Sequence, residues 1–517
     1  MGTLEGFLYG LELALTPEYI LAAFIGALAG TIIGILPGLG PVAGAALLLP
    51  LTFAYEPTVG IIMIAAIYIA TQFGGSMTSV LLNIPGDAQS VTATFDGHPL
   101  MKKGRGGAAL TIMMVGAFIS GIIGLIFLLL VVPLVNGIAI RFGPAEFFAL
   151  TAGGLLVLAR ISGGTVGAGL LPMIIGVAMA TVGIEDSMSH NRYTFGNLDL
   201  ALGISLSAVA VGLYGISELV FMLSGSKQKA GPIKIRLRDL MPTKREFRDA
   251  LPAWLRGSPI GFGFGILPGP SAALSTFASY RIEQSVARNR RKFGTGAIEG
   301  LAGPEAANSS ATIGSIVPVL MLGLPFSATL ALMLSAMQVQ GIQPGPLLSE
   351  QHPDIFWAVI ASVLVANVIL LLTNLPLIGM WIKLLQTPTK YMAPFIIILA
   401  MIGAYSIASN FIDVYIVLFA GILGYFLRIL GFSPASLLVG LVLGPMIEKY
   451  FVQGMVTYHG SIGAVLGASG ISIGIWVIVV LVLFAGMAAP LWRRVRGKTI
   501  DDSNLIADEV EEKVKSL

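Results

Sequence analysis

Polar side chains in this sequence gather beside prolines and glycines inside long apolar runs. The most polar of these stretches is AGPEAANSSAT (302–312), and SVLLNIPGD (79–87) is a second. An ionisable residue inside an apolar run of membrane length is a candidate for function, so Glu305 and Asp87 are the leading carboxylates. Capping of a helix N-terminus is the alternative role for both, since each closely follows a proline.

We predict a binding site for a substrate and an ion, made of the residues at helix breaks and the polar side chains beside them. Its members are Gly34, Pro37, Gly38, Gly40, Ser76, Asn83, Pro85, Gly86, Asp87, Gly265, Pro268, Gly269, Ser271, Glu305, Asn308, Ser309 and Ser310. Further polar candidates are Gln72, Thr78, Ser79, Ser275 and Thr312. We predict no catalytic residue and no cofactor.

The breaks themselves supply binding groups. The segments GILPGLGP (34–41) and GILPGP (265–270) predict interrupted helices, as do Pro85–Gly86 and the interval between Pro304 and Pro325. Inside a membrane, broken backbone is tolerated only where it is buried in protein or lines a wet cavity. Freed N–H groups attract anions and freed carbonyl groups coordinate cations, so a site of this kind needs few charged side chains.

These properties predict an anionic substrate at half-helix N-termini, with a coupling ion close by. A possible sodium site lies among the backbone carbonyls of the Gly34–Gly38 and Gly265–Gly269 turns, helped by Ser, Asn or Glu305.

The composition indicates which elements carry this site. Of the 517 residues, 56% are hydrophobic and only 11% are charged, against about 25% charged in ordinary soluble domains. A large soluble enzyme and a disordered chain are therefore excluded. The apolar runs are about 20 residues long, the length that crosses a bilayer. We predict an all-α polytopic membrane protein of about 10–12 membrane segments in two inverted-topology repeats, with re-entrant hairpins and broken helices.

Other functional signatures are missing from the sequence. The absence of cysteine excludes disulfides and thiolate chemistry. The four histidines have no metal-ligand spacing. The GKT triplet at 497–499 is not a phosphate loop, because Trp492 stands where that loop needs glycine. ATP-driven transport and enzymatic activity are therefore not expected.

An internal repeat divides the chain. The pentapeptide GILPG occurs at Gly34 and again at Gly265, and weaker similarities follow in the same order. The predicted division is an N-terminal periplasmic or interfacial segment (1–17), repeat 1 (18–225), a basic cytoplasmic linker with an amphipathic helix (226–257), repeat 2 (258–455), a final span (456–492) and a cytoplasmic tail (493–517).

Charge placement predicts the orientation. Basic residues favour the cytoplasmic side of short loops, which assigns 102–105, the linker, 281–292 and Arg493 to that side. The second-half counterpart of the first loop, residues 344–354, carries only acidic charges and reads as periplasmic. All but three of the 30 basic residues are then cytoplasmic. The three exceptions are Arg141, Arg192 and Lys449. The N-terminus is predicted to be periplasmic, and the linker is predicted to contact the bilayer surface, not nucleic acid.

The sequence resembles the large membrane subunit of the bacterial tripartite tricarboxylate transporters. The resemblance lies in GILPGLGP (34–41), SVLLNIPGD (79–87), FDGHPLMKKGRGGAAL (95–110), GFGFGILPGPSA (261–272) and GPEAANSSAT (303–312). Family members typically have asparagine where Ser309 stands here, a minor departure.

This resemblance implies a setting and partners. Such proteins work in the bacterial inner membrane with a small four-span membrane subunit. A periplasmic solute-binding protein delivers the substrate, which is citrate, another tricarboxylate, or a related di- or monocarboxylate. Uptake is driven by a sodium or proton gradient. The motif positions would line the site, without a secure assignment of ligands residue by residue.

The leading hypothesis is thus an ion-coupled carboxylate importer working by alternating access, of which an elevator-type motion is one form. A passive anion channel or a non-transporting membrane scaffold subunit is the alternative. An integral-membrane enzyme is disfavoured, because the carboxylates are scattered.

Overall fold

The structure is a computed structural model. It describes residues 2–36, 41–53, 55–139, 141–162, 166–184, 190–197, 199–217, 219–220, 237–267, 271–385 and 411–495, with four isolated residues between 386 and 410. The statements below concern these residues.

The first half of the chain is almost entirely helical. Its helices are α1 (Thr3–Ala14), α2 (Pro17–Ile35), α3 (Pro41–Thr52), α4 (Pro57–Leu82), α5 (Val91–Leu100), α6 (Gly106–Ala139), α7 (Pro144–Ser162), α8 (Val166–Ala180) and α9 (Leu206–Ala210), the last continuing as a π-helical turn over Val211–Ile216. A short antiparallel hairpin, β1 (Gly183–Ile184) and β2 (Asn191–Arg192), follows α8.

The second half repeats this order. Its helices are α10 (Lys244–Gly265), α11 (Ser271–Val286), α12 (Ile298–Gly314), α13 (Ile316–Leu322), α14 (Ala328–Val339), α15 (Leu348–Gln351), α16 (Pro353–Leu385), α17 (Ile412–Ile429), α18 (Pro434–Thr457), α19 (Ile462–Leu466) and α20 (Gly470–Val495).

Six of the described helical segments are long and apolar enough to cross a bilayer, and four shorter apolar helices accompany them. The all-α polytopic class is therefore confirmed. The only strands within the described residues are the two of the hairpin, which the sequence did not predict. Helix α1 was not predicted either; its Gly6 and Gly10 pack against Trp357 at the start of α16.

The predicted helix breaks are present. Helix α2 ends at Ile35 and the chain returns as α3 from Pro41, while α10 ends at Gly265 and returns as α11 from Ser271. The turn residues 37–40 and 268–270 lie outside the described residues. Pro304 does not interrupt its helix, because it lies inside α12. The break expected between Pro304 and Pro325 occurs at Gly323, after α13.

Helices α2 and α3 form the first helical hairpin, and α10 and α11 form the second. The first helix of each hairpin packs on a neighbouring helix through a ladder of glycines four residues apart. In the first half Gly26, Gly30 and Gly34 touch α4 at Met63, Ile67 and Thr71; in the second Gly257, Gly261 and Gly265 touch α12 at Gly303, Ala307 and Ala311. A Cβ atom at any of these glycines would crowd the facing backbone. Small residues let membrane helices approach closely, and the three pairs of contacts make α4 and α12 equivalent at an offset of 240 residues.

The same offset relates the ends of these helices. Helix α4 is closed by Asn83 in the left-handed region (φ 59°), and α13 by Gly323 in the same conformation (φ 68°). The polar residues that follow also correspond, since Asp87 accepts from the N–H of Ser90 and Ser327 accepts from the N–H of Leu330. Ser327 is the N-cap of α14, whereas Asp87 closes the turn before α5. The duplication therefore extends to individual backbone features.

The two repeats are inverted with respect to each other. Lys103, before α6, donates to the carbonyl of Thr295 (2.5 Å), so loops 101–105 and 287–297 share one end of the molecule. At the far end of α6, Asn136 donates to Ser349 (3.4 Å). Thirty residues of helix separate Gly106 from Asn136, about 45 Å. Loop 101–105 and its second-half counterpart, 340–351, thus lie at opposite ends.

We call these ends the basic end, with loops 101–105 and 287–297, and the acidic end, with loops 52–58 and 340–354. The acidic end carries Glu18, Glu56, Glu350 and Asp354. The separation between basic and acidic loops predicted from the sequence is thus present in the fold.

The later helices of each half cross over to the other half. Helix α8 packs along α18, and the α9 segment packs along α17. Helix α10 runs unbroken through residues 257 and 258, where we placed the boundary between linker and repeat 2. The predicted amphipathic stretch is therefore the first half of the first helix of that repeat, started by a capping box of Thr243 and Glu246.

Candidate functional site

Glu305 lies in the interior of the protein on α12. Its residue exposure is 3%, and it stands seven residues into the helix. The residues just before the helix are held by another element, because Asp96 of α5 accepts hydrogen bonds from the N–H groups of Gly296 and Ala297 (2.7 Å each). Glu305 is therefore not an N-terminal cap. The polar stretch 302–312 is continuous helix that directs polar groups at its neighbours.

A small cavity beside Glu305 lies where α4, α6, α12 and α16 meet. Its lining residues are Ile69, Gln72, Phe73, Met114, Ala117, Phe118, Glu305, Asn308, Ser309, Thr312, Asn367, Leu370, Leu371 and Asn374. The volume is about 30 Å³, enough for one or two groups of the size of water. We call this space the central cavity.

Several buried oxygens around the central cavity have no hydrogen-bond partner within the described part of the chain. They are Oε1 of Gln72, Oδ1 of Asn308 and Oδ1 of Asn374, together with Oγ of Ser76. Buried polar atoms without a partner are uncommon in folded proteins. Since all of these atoms are oxygens and a carboxylate lies among them, the arrangement suits a small cation or a bound water.

Ser76 and Asn308 both lie against the carboxyl group of Glu305. Ser76 is on α4 and Asn308 is on α12, one turn after Glu305. Side chains from the two repeats therefore converge on one carboxylate. A further contact joins the same pair of helices, because the hydroxyl groups of Tyr68 and Ser315 are 3.0 Å apart.

Asp87 occupies the break that follows α4. Its Oδ1 accepts from the N–H of Ser90 (2.9 Å), and its Oδ2 accepts from Gln89 (2.7 Å). The helix-cap role considered for Asp87 is not what the structure shows: Ser90 is the N-cap of α5, and Asp87 closes the turn just before that helix. Gly86 lies against Gly75 of α4 so closely that a Cβ atom would lie 2.6 Å from the Cα of Gly75. This contact brings Asp87 close enough to Glu305 for the two carboxylates to repel each other.

The predicted site residues divide into four groups by position. Ser76, Glu305, Asn308 and Ser309 are at the central cavity, with Pro85, Gly86 and Asp87 in the adjoining break. Gly34 and Gly265 pack against α4 and α12, and Ser310 faces Gly124 of α6. Asn83 is exposed and Ser271 begins α11. Pro37, Gly38, Gly40, Pro268 and Gly269 lie outside the described residues, so the two turns considered for sodium are only partly covered.

Two lining residues were missed by the sequence analysis. Asn367 and Asn374 lie on α16, seven residues apart in a strongly apolar helix. Two turns of helix bring such positions to one face, and that spacing is the signal that would have found them. Gln72 and Thr312, weighed as further candidates, do line the cavity.

The central cavity has few side chains that could hold a transition metal. Within the described residues, no group of three or more His, Cys, Asp or Glu side chains is placed to hold a metal ion. A cation at the central cavity would depend on amide, hydroxyl and backbone oxygens together with Glu305. Such hard oxygen donors match alkali and alkaline-earth cations better than zinc or copper.

Comparison with known proteins gives consistent matches. Residues 20–439 match the family described as "Tripartite tricarboxylate transporter TctA family". An uncharacterized 52.8 kDa protein in the TAR-I ttuC' 3' region of Agrobacterium vitis is 39% identical over 487 residues, which is 93% of this chain and 97% of the relative. A second uncharacterized protein, in the TAR-II ttuC' 3' region of the same organism, is 46% identical over 196 residues, 38% of this chain and 81% of the relative. No solved structure gives a significant match.

Proposed function

The chain belongs to the tripartite tricarboxylate transporter TctA family, and from this premise we propose that it is the large membrane subunit of a secondary active carboxylate importer. The substrate would be a tricarboxylate such as citrate, or a related di- or monocarboxylate. A sodium or proton gradient would drive uptake. As a multi-pass membrane protein of a transporter family, the chain supplies the path across the bilayer, and we assign it no enzymatic step.

The proposed transporter has other subunits. Family membership supports assembly with further components of a tripartite system. We propose a small four-span membrane subunit and a periplasmic solute-binding protein as the partners, in the bacterial inner membrane. The basic end would face the cytoplasm, following the preference of Lys and Arg for that side.

The observation that carries the proposal is the set of unpaired oxygens around the cavity beside Glu305, where the two inverted repeats meet. Inverted repeats with broken helices and a site at their interface are the architecture of secondary transporters. Gln72 and Ser76 come from repeat 1, and Asn308 and Asn374 come from repeat 2. An ion bound among them would link the two repeats directly.

The size of the central cavity distinguishes the ion from the substrate. Its 30 Å³ is far below the several hundred Å³ typical of small-molecule sites. We therefore propose that it holds the coupling ion in this conformation. The carboxylate would be held in another conformation by the half-helix ends at the breaks, with the Gly86–Asp87 segment and α12 beside it.

Coupling would follow from this shared location. A cation at Glu305 would offset the repulsion between Glu305 and Asp87 and would make the adjoining break more favourable for an anion. Occupation of both sites would then permit the moving unit to cross, by an elevator or a rocking motion.

The test is uptake by the full chain, co-reconstituted with its small membrane subunit in proteoliposomes and supplied with the binding protein. Radiolabelled citrate is added under an inward sodium gradient, an inward proton gradient, or neither. Uphill accumulation that requires one gradient and saturates with citrate supports the proposal. Uphill accumulation without any gradient, or ion conductance typical of a channel in electrical recordings, contradicts it.

A further inference from the structure

A second, larger cavity opens at the acidic end. Its volume is about 570 Å³, which falls in the range of small-molecule sites. The end of α8, the β-hairpin, α14 and α18 form its walls. We call it the outer vestibule. It is separate from the central cavity and shares no lining residue with it.

The outer vestibule carries two basic side chains at the acidic end. Arg192 and Lys449 both line it, and they are two of the three basic residues that the charge pattern assigns to this side. Arg192 donates to Glu448 (Nη2–Oε1 2.7 Å), which fixes the hairpin to α18. Lys449 is exposed, and no carboxylate of the described residues lies within ion-pair distance of it. Among these three described residues, the formal charges sum to one positive unit.

Neutral hydrogen-bonding groups lie beside these charges. Ser335 and Gln338 of α14 and Gln453 of α18 are in the lining. Amides and hydroxyls next to a cation are suited to a carboxylate, because an ionised carboxylate only accepts hydrogen bonds. Apolar side chains such as Leu441 and Val442 complete the wall.

Helix α14 connects the outer vestibule with the region of the central cavity. Ser335 is eight residues after Ser327, which begins α14, so the two are about 12 Å apart along the helix. Ser327 in turn approaches the hydroxyl of Tyr68. An anion in the vestibule is thus one helix length from the break at Gly323 and from the interface of the repeats.

We propose that the outer vestibule is a first binding site for the substrate anion, a small di- or tricarboxylate, held by Lys449 and Arg192 before it reaches the repeat interface. The identity of the anion rests on the proposed function, but the site is defined by this cavity and its charges. Positive groups inside a concave wall raise the local concentration of anions and speed their capture.

The direct test is equilibrium binding, without transport, to the purified full chain in detergent. Citrate is titrated at low and high ionic strength, with succinate as a smaller probe. Lys449→Gln should weaken citrate binding by about fivefold at low salt, as expected for one solvated charge close to the ligand. High salt should shrink the difference, because the charge is exposed. Arg141→Gln is the matched control, since Arg141 is assigned to the same side and does not line the vestibule.

For Arg192, the test includes a variant that keeps the ion pair with Glu448, so that a loss of charge can be told apart from a loss of structure. Arg192→Lys retains the pairing with Glu448 and should leave citrate affinity within about twofold, whereas Arg192→Gln should lose affinity as Lys449→Gln does. Equal affinities for the wild type, Lys449→Gln and Arg141→Gln would overturn the proposal. So would a loss of affinity in Lys449→Gln that is the same at low and high salt.

A second variant separates this proposal from the proposed function. Glu305→Gln should reduce gradient-driven uptake by about a hundredfold and still bind citrate in a manner that depends on Lys449. Loss of both uptake and binding in Glu305→Gln would place all binding at the central site and would overturn the outer site. Binding that depends on Lys449 in a wild-type protein that never accumulates carboxylates would instead contradict the transport function.

Discussion

The two repeats have the same backbone and different chemistry. At the offset of 240 residues, Ala65 and Tyr68 of α4 stand where α12 has Glu305 and Asn308. The glycine ladders and the left-handed helix ends recur in both halves. The difference shows which features serve folding in either copy and which belong to a site, because only the second copy places a carboxylate in the interior of its ladder helix.

The two helical hairpins, α2–α3 and α10–α11, also differ in charge, and the second again has the ionisable side chains. In the second half, Arg256 of α10 makes a two-pronged ion pair with Glu283 of α11 (2.9 and 2.5 Å), and Glu283 is almost fully buried. In the first half, α3 contains no ionisable residue. Within the described residues, the first hairpin thus has no counterpart of the ion pair that joins the two helices of the second hairpin.

The largest effect is expected from the feature that the halves share. Gly261→Val should destabilise the protein by more than about 5 kcal/mol, because its side chain would overlap the carbonyl of Ala307 on α12. Gly30→Val, at the corresponding place in repeat 1, should do the same. Size-exclusion chromatography in detergent measures the folded fraction. Gly263→Val is the control on the same helix, where nothing lies within 4 Å. Tolerance of Gly30→Val alone would show that the two ladders are not equivalent.

The ion pair of the second hairpin ranks next. Arg256→Ala leaves Glu283 buried without a partner and should cost about 3–5 kcal/mol, read as a lower thermal midpoint. Arg105→Ala breaks the more exposed pair with Glu246 (Nε–Oε1 3.0 Å) and should cost about 1 kcal/mol or less. Equal thermal midpoints for Arg256→Ala and Arg105→Ala would show that the buried ion pair does not stabilise the second hairpin more than an exposed pair would.

The central carboxylate tests the chemical difference itself. Glu305→Gln should reduce gradient-driven uptake by about a hundredfold, equivalent to roughly 2.7 kcal/mol, while the melting temperature stays the same or rises because a buried charge is removed. Uptake by proteoliposomes and thermal unfolding are measured on the same preparation. Glu299→Gln, on the same helix but paired with Lys292 at the basic end, should retain uptake. Normal uptake by Glu305→Gln would remove Glu305 from the site.

The smallest effect is expected at the first-half counterpart of Asn308. Tyr68→Phe removes the hydrogen bond to Ser315 and should cost about 1 kcal/mol of stability, with little change in the half-saturating substrate concentration. Asn308→Ala should instead lower uptake by about tenfold or more, since Asn308 lies against Glu305. The reverse order of effects on uptake would place the functional chemistry in repeat 1.

Much of this arrangement was readable from the sequence, for identifiable physical reasons. Proline and glycine change the backbone locally, so the breaks at Pro37, Pro85 and Pro268 could be predicted from the letters alone. Loop charges predicted the separation into a basic and an acidic end. Pro304 was less informative, because a proline in the second turn of a helix removes a hydrogen bond without ending it.

The central cavity was predictable only in part. Glu305, Asn308 and Ser76 stood out as polar groups in apolar runs, but Asn367 and Asn374 come from a helix more than 50 residues further along the chain. Which polar groups share a cavity depends on how α4, α6, α12 and α16 pack. The outer vestibule escaped prediction for the same reason, since its hairpin and its two cations approach one another only in the folded chain.

Asp96 has a consequence for how the chain is made. Its carboxylate is fully buried, and three groups that donate to it belong to the second half: the N–H groups of Gly296 and Ala297 and the hydroxyl of Tyr280. A nascent chain that ends before residue 280 therefore holds a carboxylate whose donors do not yet exist. The side chain of Asp96 therefore stays hydrated, and the packing of the first repeat around it stays incomplete, until roughly 200 further residues have been synthesised. An amino-terminal half produced by itself would be an unfinished part, not an independent module.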